Sequence, residues 1–277
     1  MQPNKSTFQT RYGPWALIVG GSDGLGAEFA RQLASQGLNL ALAARRPDLL
    51  ERFADELTRR FGVQVLTLTL DLADPRSVDS IVERSSGLQV GLLICNAASA
   101  PIGPFIGHAR ATHDRLLEVN CRTPALLAWE FGRRMSLQGR GGIILVSSMA
   151  GFQGTGCVAH YAASKAYIRV LAEGLWNELR GKGVDVVACC PGIVDTPTYR
   201  REGPIRPRWL ASPLMDCRPV VRQTLRALGR KPIVVPGTSN KVAVWFTQRL
   251  LPRRLAIALA SRGTSAMYSR SEQGNPL

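Results

Sequence analysis

The chain has 277 residues with 45% hydrophobic side chains and a formal net charge of +15, and no Pro/Ser/Gly-rich linker, low-complexity tract or internal repeat divides it, so one domain over 1–277 is the simplest organisation. Its longest apolar stretches, such as 88–95, are far shorter than the ~20 residues of a membrane-spanning helix. The six cysteines form no C-x-x-C and the N-terminus has no signal-peptide core, which excludes a disulfide scaffold and predicts a protein of the reducing cytoplasm.

In chain order, an apolar run at 15–20 (WALIVG) ends in glycines and leads into a helical pattern over 25–36 that stops at Gly37. A strand is expected at 38–44, a helix at 47–61, a strand at 63–70, a helix at 75–86 and a strand at 90–95. A long helix over 113–138 follows, then a strand at 142–146, a helix over 159–181, a strand at 184–190, a helix over 218–228 and a last strand at 232–235. Short, continuously apolar strands alternating with helices predict a parallel sheet covered on both faces. Seven of them predict an α/β fold, a doubly wound seven-stranded Rossmann sheet with helices on both faces.

The first strand runs into Gly20-Gly21-Ser22-Asp23-Gly24-Leu25-Gly26. Glycines at a strand-to-helix turn let backbone N–H groups approach a pyrophosphate. After the second strand stand Arg45 and Arg46, where an NAD site would place a carboxylate for the ribose 2′-hydroxyl. Asp48 lies beyond the prolyl turn. A guanidinium suits a 2′-phosphate, which points to NADP(H). Asp23 adds no positive charge to the loop. Asp71, with Leu72, follows the third strand and is placed either to accept from adenine or to cap a turn. Asn96, Ala97 and Ala98 end the fourth.

Tyr161 and Lys165 are one turn apart on the expected 159–181 helix, so an ammonium can reach the neighbourhood of a phenol. A nearby cation favours phenolate and makes tyrosine a usable acid. The pair alone is weak evidence, since Tyr and Lys at this spacing occur often on solvated helix faces. His108, His113 and His160 show no clustered spacing and no acidic partner, so no metal is expected.

These pieces together make the chain resemble the short-chain dehydrogenase/reductases over nearly all of 13–236. The matches are Gly20/Gly24/Gly26, Asn96-Ala97-Ala98, Asn120 in LEVNCR, Ser148 in ILVSSMAG, Tyr161 and Lys165 in YAASK, and Pro191-Gly192-Ile193-Val194-Asp195-Thr196, in the family's order. The opening 13–46 is most similar to the branch holding 17-beta-hydroxysteroid dehydrogenases and very-long-chain 3-ketoacyl reductases. The resemblance implies that Tyr161 passes a proton while nicotinamide C4 passes hydride. It also implies that Ser148, rather than Ser147, holds the substrate oxygen, that Lys165 serves both the phenol and the nicotinamide ribose, and that Asn120 anchors a proton-relay water. Pro191, Gly192, Ile193 and Thr196 would border the carboxamide. Val19, Cys95 and Ala98 depart from the threonine, asparagine and glycine of the family pattern and touch loop bracing rather than proton transfer.

The same resemblance places the substrate against 151–159 and a lid over 198–216. The lid mixes Tyr199, Trp209, Leu210, Leu214 and Met215 with four arginines, a surface suited to a bulky apolar carbonyl substrate or to packing the lid on the core. From 200 to 277 there are 15 Lys/Arg against three Asp/Glu. This basic end, with an extension over 237–277, could be solvated, attract an anionic ligand or rest on an anionic membrane. Nucleic acid is disfavoured, since no reading motif accompanies the charge. Within the extension, 240–262 reads as an amphipathic basic segment broken at Pro252, a pocket cover, a subunit contact or a lipid contact. The expectation is an NADP(H)-dependent ketone reductase, ketosteroid-like in substrate, working as a homodimer or homotetramer. Its alternatives are a 3-ketoacyl thioester reductase, an NAD-linked alcohol dehydrogenase and a dinucleotide sensor.

Overall fold

The computed structural model describes residues 7–203 and 214–268. Along the chain, helix α1 (Thr7–Tyr12) precedes β1 (Trp15–Val19), α2 (Gly24–Ala34), β2 (Asn39–Ala44), α3 (Pro47–Phe61), β3 (Val65–Thr69), α4 (Ser77–Arg84) and β4 (Val90–Cys95). Then come α5 (Arg110–Leu117), α6 (Thr123–Gln138), β5 (Gly141–Val146), α7 (Ala159–Arg180), β6 (Val184–Cys189), α8 (Pro197–Glu202), α9 (Cys217–Ala227), β7 (Ile233–Val234), α10 (Thr238–Arg249) and α11 (Arg253–Tyr268).

The seven strands form one parallel sheet in the order β3-β2-β1-β4-β5-β6-β7, each within two residues of its expected span. Every residue of β4, β5 and β6 is buried, because alternate side chains enter two separate cores. On one face Ile18 and Leu42 meet Phe29 and Leu33 of α2, Leu50 and Leu57 of α3 and Val220 and Val221 of α9. On the other, Leu17 and Leu145 meet Ile81 of α4, Phe131 of α6 and Ile168 of α7. The helices carry the matching periodicity: in α3 the buried Leu50, Phe53, Ala54 and Leu57 recur at three and four residues. The sheet order reverses between β1 and β4, which opens a crevice at their carboxyl ends.

Two expectations change. The helix expected over 113–138 is interrupted by a wide, five-residue-spaced turn, Glu118–Arg122, between α5 and α6. Pro124 has no N–H to give the carbonyl of Asn120, its α-helical partner, so the hydrogen-bond ladder must shift there. Thr123 Oγ1 instead donates to the Leu72 carbonyl at 3.2 Å, tying this turn to the end of β3. The second change is α1, absent from the sequence reading. Its Tyr12 hydroxyl donates to Asp185 at 2.7 Å and Arg11 Nε donates to the same carboxylate oxygen at 2.6 Å. They satisfy a charge that would otherwise be costly inside β6. Of the lid, Trp209 and Leu210 lie outside the described residues, as do 269–277 of the extension. Among the described residues no helix is long and apolar enough to cross a membrane.

Candidate active site

A cavity of about 680 Å³ opens at the carboxyl ends of the strands. Gly20, Ser22, Asp23, Gly24 and Leu25, Arg45 and Arg46, Asp71 and Leu72, Asn96 and Ala97, Pro191, Gly192, Ile193 and Thr196 border it, together with Ser148, Tyr161 and Lys165. Gly26 and Asn120 are not on its wall.

The glycine-loop end depends on close backbone approach. Gly20 has φ +83°, and a β-carbon there would stand 2.6 Å from the Ala97 nitrogen. A β-carbon on Gly26 would overlap the Gly20 carbonyl oxygen. Gly26 thus sits behind the cavity, letting α2 approach β1, while the Asp23 side chain makes no cap bond to α2. First-turn N–H groups therefore remain available to a pyrophosphate. Asn96 Nδ2 donates to the Gly20 carbonyl at 2.9 Å, and the Asn96 and Ala97 N–H groups both donate to Val19 at 2.9 Å. The loops after β1 and β4 are one braced unit despite Val19, Cys95 and Ala98.

The two arginines differ in state. Arg46 Nη2 meets Asp23 at 2.5 Å, which gives the glycine-loop carboxylate a purpose. Arg45 makes no hydrogen bond or ion pair among the described residues and borders the cavity. Asp71, expected to face adenine or cap a turn, does cap a turn, its Oδ1 accepting from Ala73 N–H at 3.1 Å, and both its carboxylate oxygens are also held by Arg115 at 3.0 Å. The bond to Arg115 chiefly holds its carboxyl below the ordinary range. Arg115 also borders the cavity and was missed in the sequence, since nothing local connects it to a residue 44 positions earlier.

Tyr161 stands in the first turn of α7 and Lys165 one turn on, its Nζ 5.7 Å from the phenol ring centroid. Lys165 is 97% buried, and Nζ donates to the Val146 carbonyl at 2.9 Å. Burial pushes its pKa down to about 8. Burial also pushes the thiols of Cys95, Cys189 and Cys190 up to about 12, so these neighbours supply no anion at neutral pH.

Two adjacent serines divide the work. Ser147 Oγ donates to the Lys165 carbonyl at 2.6 Å and braces α7 against β5. Ser148 is only half-buried, and its Oγ accepts from Ala150 N–H at 3.1 Å, leaving its own hydroxyl proton to donate. Asn120 is buried in the wide turn. Its Oδ1 accepts from Ser99 N–H at 2.7 Å, and its Nδ2 donates to the Ser99 carbonyl at 2.8 Å and to Ser164 Oγ at 2.9 Å. The amide therefore couples the loop after β4 to α7.

The histidines, expected to stand apart, do cluster. His113 and His160 meet Nδ1 to Nδ1 at 2.9 Å, and His108 packs edge-on to His113 at 6.0 Å. The Phe105 carbonyl, 3.1 Å from His113 Nε2, can only accept, so His113 accepts at Nδ1 from the His160 Nδ1–H. Burial, then His113, holds His160 below its ordinary pKa. Among the described residues no three His, Cys, Asp or Glu side chains are grouped to hold a metal.

The other wall comes from distant segments. Thr198, Tyr199 and Arg201 border it from the start of the expected lid, and Met215 pairs backbone to backbone with Ile193 and Asp195. Ala260, Gly263, Thr264 and Met267 of α11 close the top. Ser261 Oγ accepts from Gly156 N–H at 2.9 Å and Arg253 donates to the Phe152 carbonyl at 3.2 Å. Of the roles open to the extension, its inner face is a cavity cover, and the break falls at Pro252 as expected.

The family model described as short chain dehydrogenase matches residues 14–204. The chain is 27% identical over 234 residues to a 7beta-hydroxysteroid dehydrogenase of Clostridium sardiniense, covering 84% of this chain and 89% of that protein. It is 29% identical over 268 residues to a very-long-chain 3-oxoacyl-CoA reductase of Phaeosphaeria nodorum, covering 92% and 76%. A structure from work on 7beta-hydroxysteroid dehydrogenase stereoselectivity superposes with a TM-score of 0.87 at 26% identity, covering 92% of this chain and 99% of that one. A short-chain dehydrogenase from Sphingobium yanoikuyae in complex with NADPH superposes with a TM-score of 0.73 at 29% identity, covering 81% and 87%.

Proposed function

The chain belongs to the short-chain dehydrogenase family, as an oxidoreductase of hydroxyl and ketone groups, and on that premise we propose that it reduces the ketone of a bulky, ketosteroid-like substrate with NADPH. With NADP+ in excess the same site runs the reverse oxidation. The observation that carries this reading is the convergence of Ser148, Tyr161, Lys165, the glycine loop and an open Arg45 on one cavity.

When bound, the dinucleotide supplies or accepts hydride at nicotinamide C4. The Tyr161 hydroxyl gives its proton to the ketone oxygen, and the Ser148 hydroxyl donates to that same oxygen, favouring the charge that develops on it. The Lys165 ammonium favours the phenolate left behind and binds the nicotinamide ribose hydroxyls. Asn120 is a positioning residue, acting through Ser99 and Ser164. Thr196 and the Ile193 backbone orient the carboxamide, and Arg45 receives the 2′-phosphate. Support for NADP(H) over NAD(H) comes from the Arg45 guanidinium, which lies near Asp71 but forms no hydrogen bond or ion pair among the described residues, and from the NADPH held by the Sphingobium relative. We assign the exposed Trp129, Leu137, Tyr167 and Val170 of α6 and α7 to self-association as a homodimer or homotetramer.

The apolar roof of α11 supports a bulky substrate. A thioester reductase is the second reading, favoured by the Phaeosphaeria relative. An NADPH-consumption screen over ketosteroids, 3-ketoacyl thioesters and small ketones decides between them. Ketosteroids should give the highest kcat/KM. Tyr161→Phe should lower kcat about 10²–10⁴-fold with NADPH binding retained; undiminished turnover would remove the proposed acid.

A further inference from the structure

The helix that roofs the cavity also has an outward face, which continues onto α10. There Val242, Trp245, Phe246 and Leu250 recur at three- and four-residue spacing and leave 60%, 57%, 45% and 56% of their surfaces open. Leu255, Ile257 and Leu259 add exposed apolar side chains in the first two turns of α11, at 54%, 38% and 49%, with Leu255 and Leu259 one turn apart on one side. Isolated exposed apolar side chains are ordinary, but seven along two consecutive helices and the turn between them are not. The exposed Lys241, Arg249, Arg253, Arg254 and Arg262 are interleaved with them. No Asp or Glu occurs between 238 and 268.

We propose that this face docks on an anionic lipid surface, its apolar side chains entering the headgroup region and its five cations meeting lipid phosphates. Charge selects that occupant. A symmetric contact with a second copy would bring the same cations against each other, whereas an anionic bilayer offsets each of them. Shape agrees: on α10 the apolar residues follow the helical period along one face, as an interfacial helix requires. The docked face is continuous with the cavity, because Leu259 lies both on the outer surface and on the cavity wall. Docking would set the cavity mouth beside the layer in which a hydrophobic substrate dissolves. Lipid binding requires no turnover, so it stands or falls apart from the substrate assignment.

The test is co-sedimentation of the full chain with vesicles of phosphatidylcholine, with and without about one third phosphatidylglycerol. Partition into the anionic vesicles alone, weakened by salt, is expected. The double variant Lys241→Gln/Arg249→Gln should lower it about thirtyfold, and Trp245→Ser/Phe246→Ser about tenfold or more, with an unchanged melting temperature. Equal partition into both vesicle types, or none into either, overturns the proposal. So does sedimentation velocity in which the aromatic variant dissociates an oligomer while lipid binding is unaltered, which would make this face a contact between copies.

Discussion

On one side of the cavity the loops after β1 and β4 hold one another through the Asn96 and Ala97 N–H groups, both bonded to the Val19 carbonyl, with the Asn96 side chain adding a bond to the Gly20 carbonyl. On the other, α10 and α11 are tied down by side chains, several reaching residues about a hundred positions away, among them Ser261 to Gly156, Arg253 to Phe152 and Gln248 to Gln153. The first wall inherits its geometry from the sheet, where strand pairing leaves no freedom. The second is assembled from side chains on separate segments. Changes in the first should therefore damage fold and cofactor binding together, while changes in the second should alter substrate handling at small cost to stability.

The sharpest way to break that contrast is Gly26→Ala, which puts a β-carbon into the Gly20 carbonyl. About 3 kcal/mol of destabilisation and loss of NADPH binding are expected, read by thermal melting and fluorescence titration. A variant with normal stability would mean that the loop is adaptable. Lys165→Met, at the floor between the walls, should do the opposite to the cofactor-free protein. The lysine pKa falls from 10.5 unfolded to about 8 folded, so folding releases a proton only between these values, and the penalty for burying the ammonium, about 3 kcal/mol, is complete below pH 8 and vanishes above 10.5. Allowing about 1 kcal/mol for the bond to Val146, the variant should be about 2 kcal/mol more stable than the parent at pH 7. That gain should disappear as the pH rises through 8 to 10.5, and activity should be lost throughout. Denaturant melts across that range check it.

Arg45→Ala should weaken NADPH binding about tenfold or more while leaving NADH nearly unaffected; equal loss for both cofactors would remove the 2′-phosphate assignment. The smallest effect belongs to the second wall. Ser261→Ala should lower stability by about 1 kcal/mol or less yet raise KM for a bulky ketone more than for a small one, because α11 loses its tie to Gly156. A matched rise for both substrates would show that α11 does not shape the pocket.

How legible each part was follows the same division. The seven strands could be placed because each is a continuous apolar run, and the turn carrying Gly20, Gly24 and Gly26 could be placed between β1 and α2 because a strand precedes it and a helix follows. The wide turn at 118–122 was hidden, although Pro124 four residues after Asn120 was a usable sign. The pairings of Arg46 with Asp23, of Arg115 with Asp71 and of His113 with His160 left no sign at all. Their partners are 23, 44 and 47 positions apart, and no periodicity links such positions.

What the sequence determined by itself was therefore the family, the parallel sheet and the spacing of Tyr161 and Lys165, all properties of local pattern and fixed helical geometry. The tertiary structure alone decided which arginine stays open to a ligand, that Lys165 is buried enough to titrate near 8, and which face of α11 closes the cavity. These depend on how helices cross the sheet, and packing between distant segments sets that crossing.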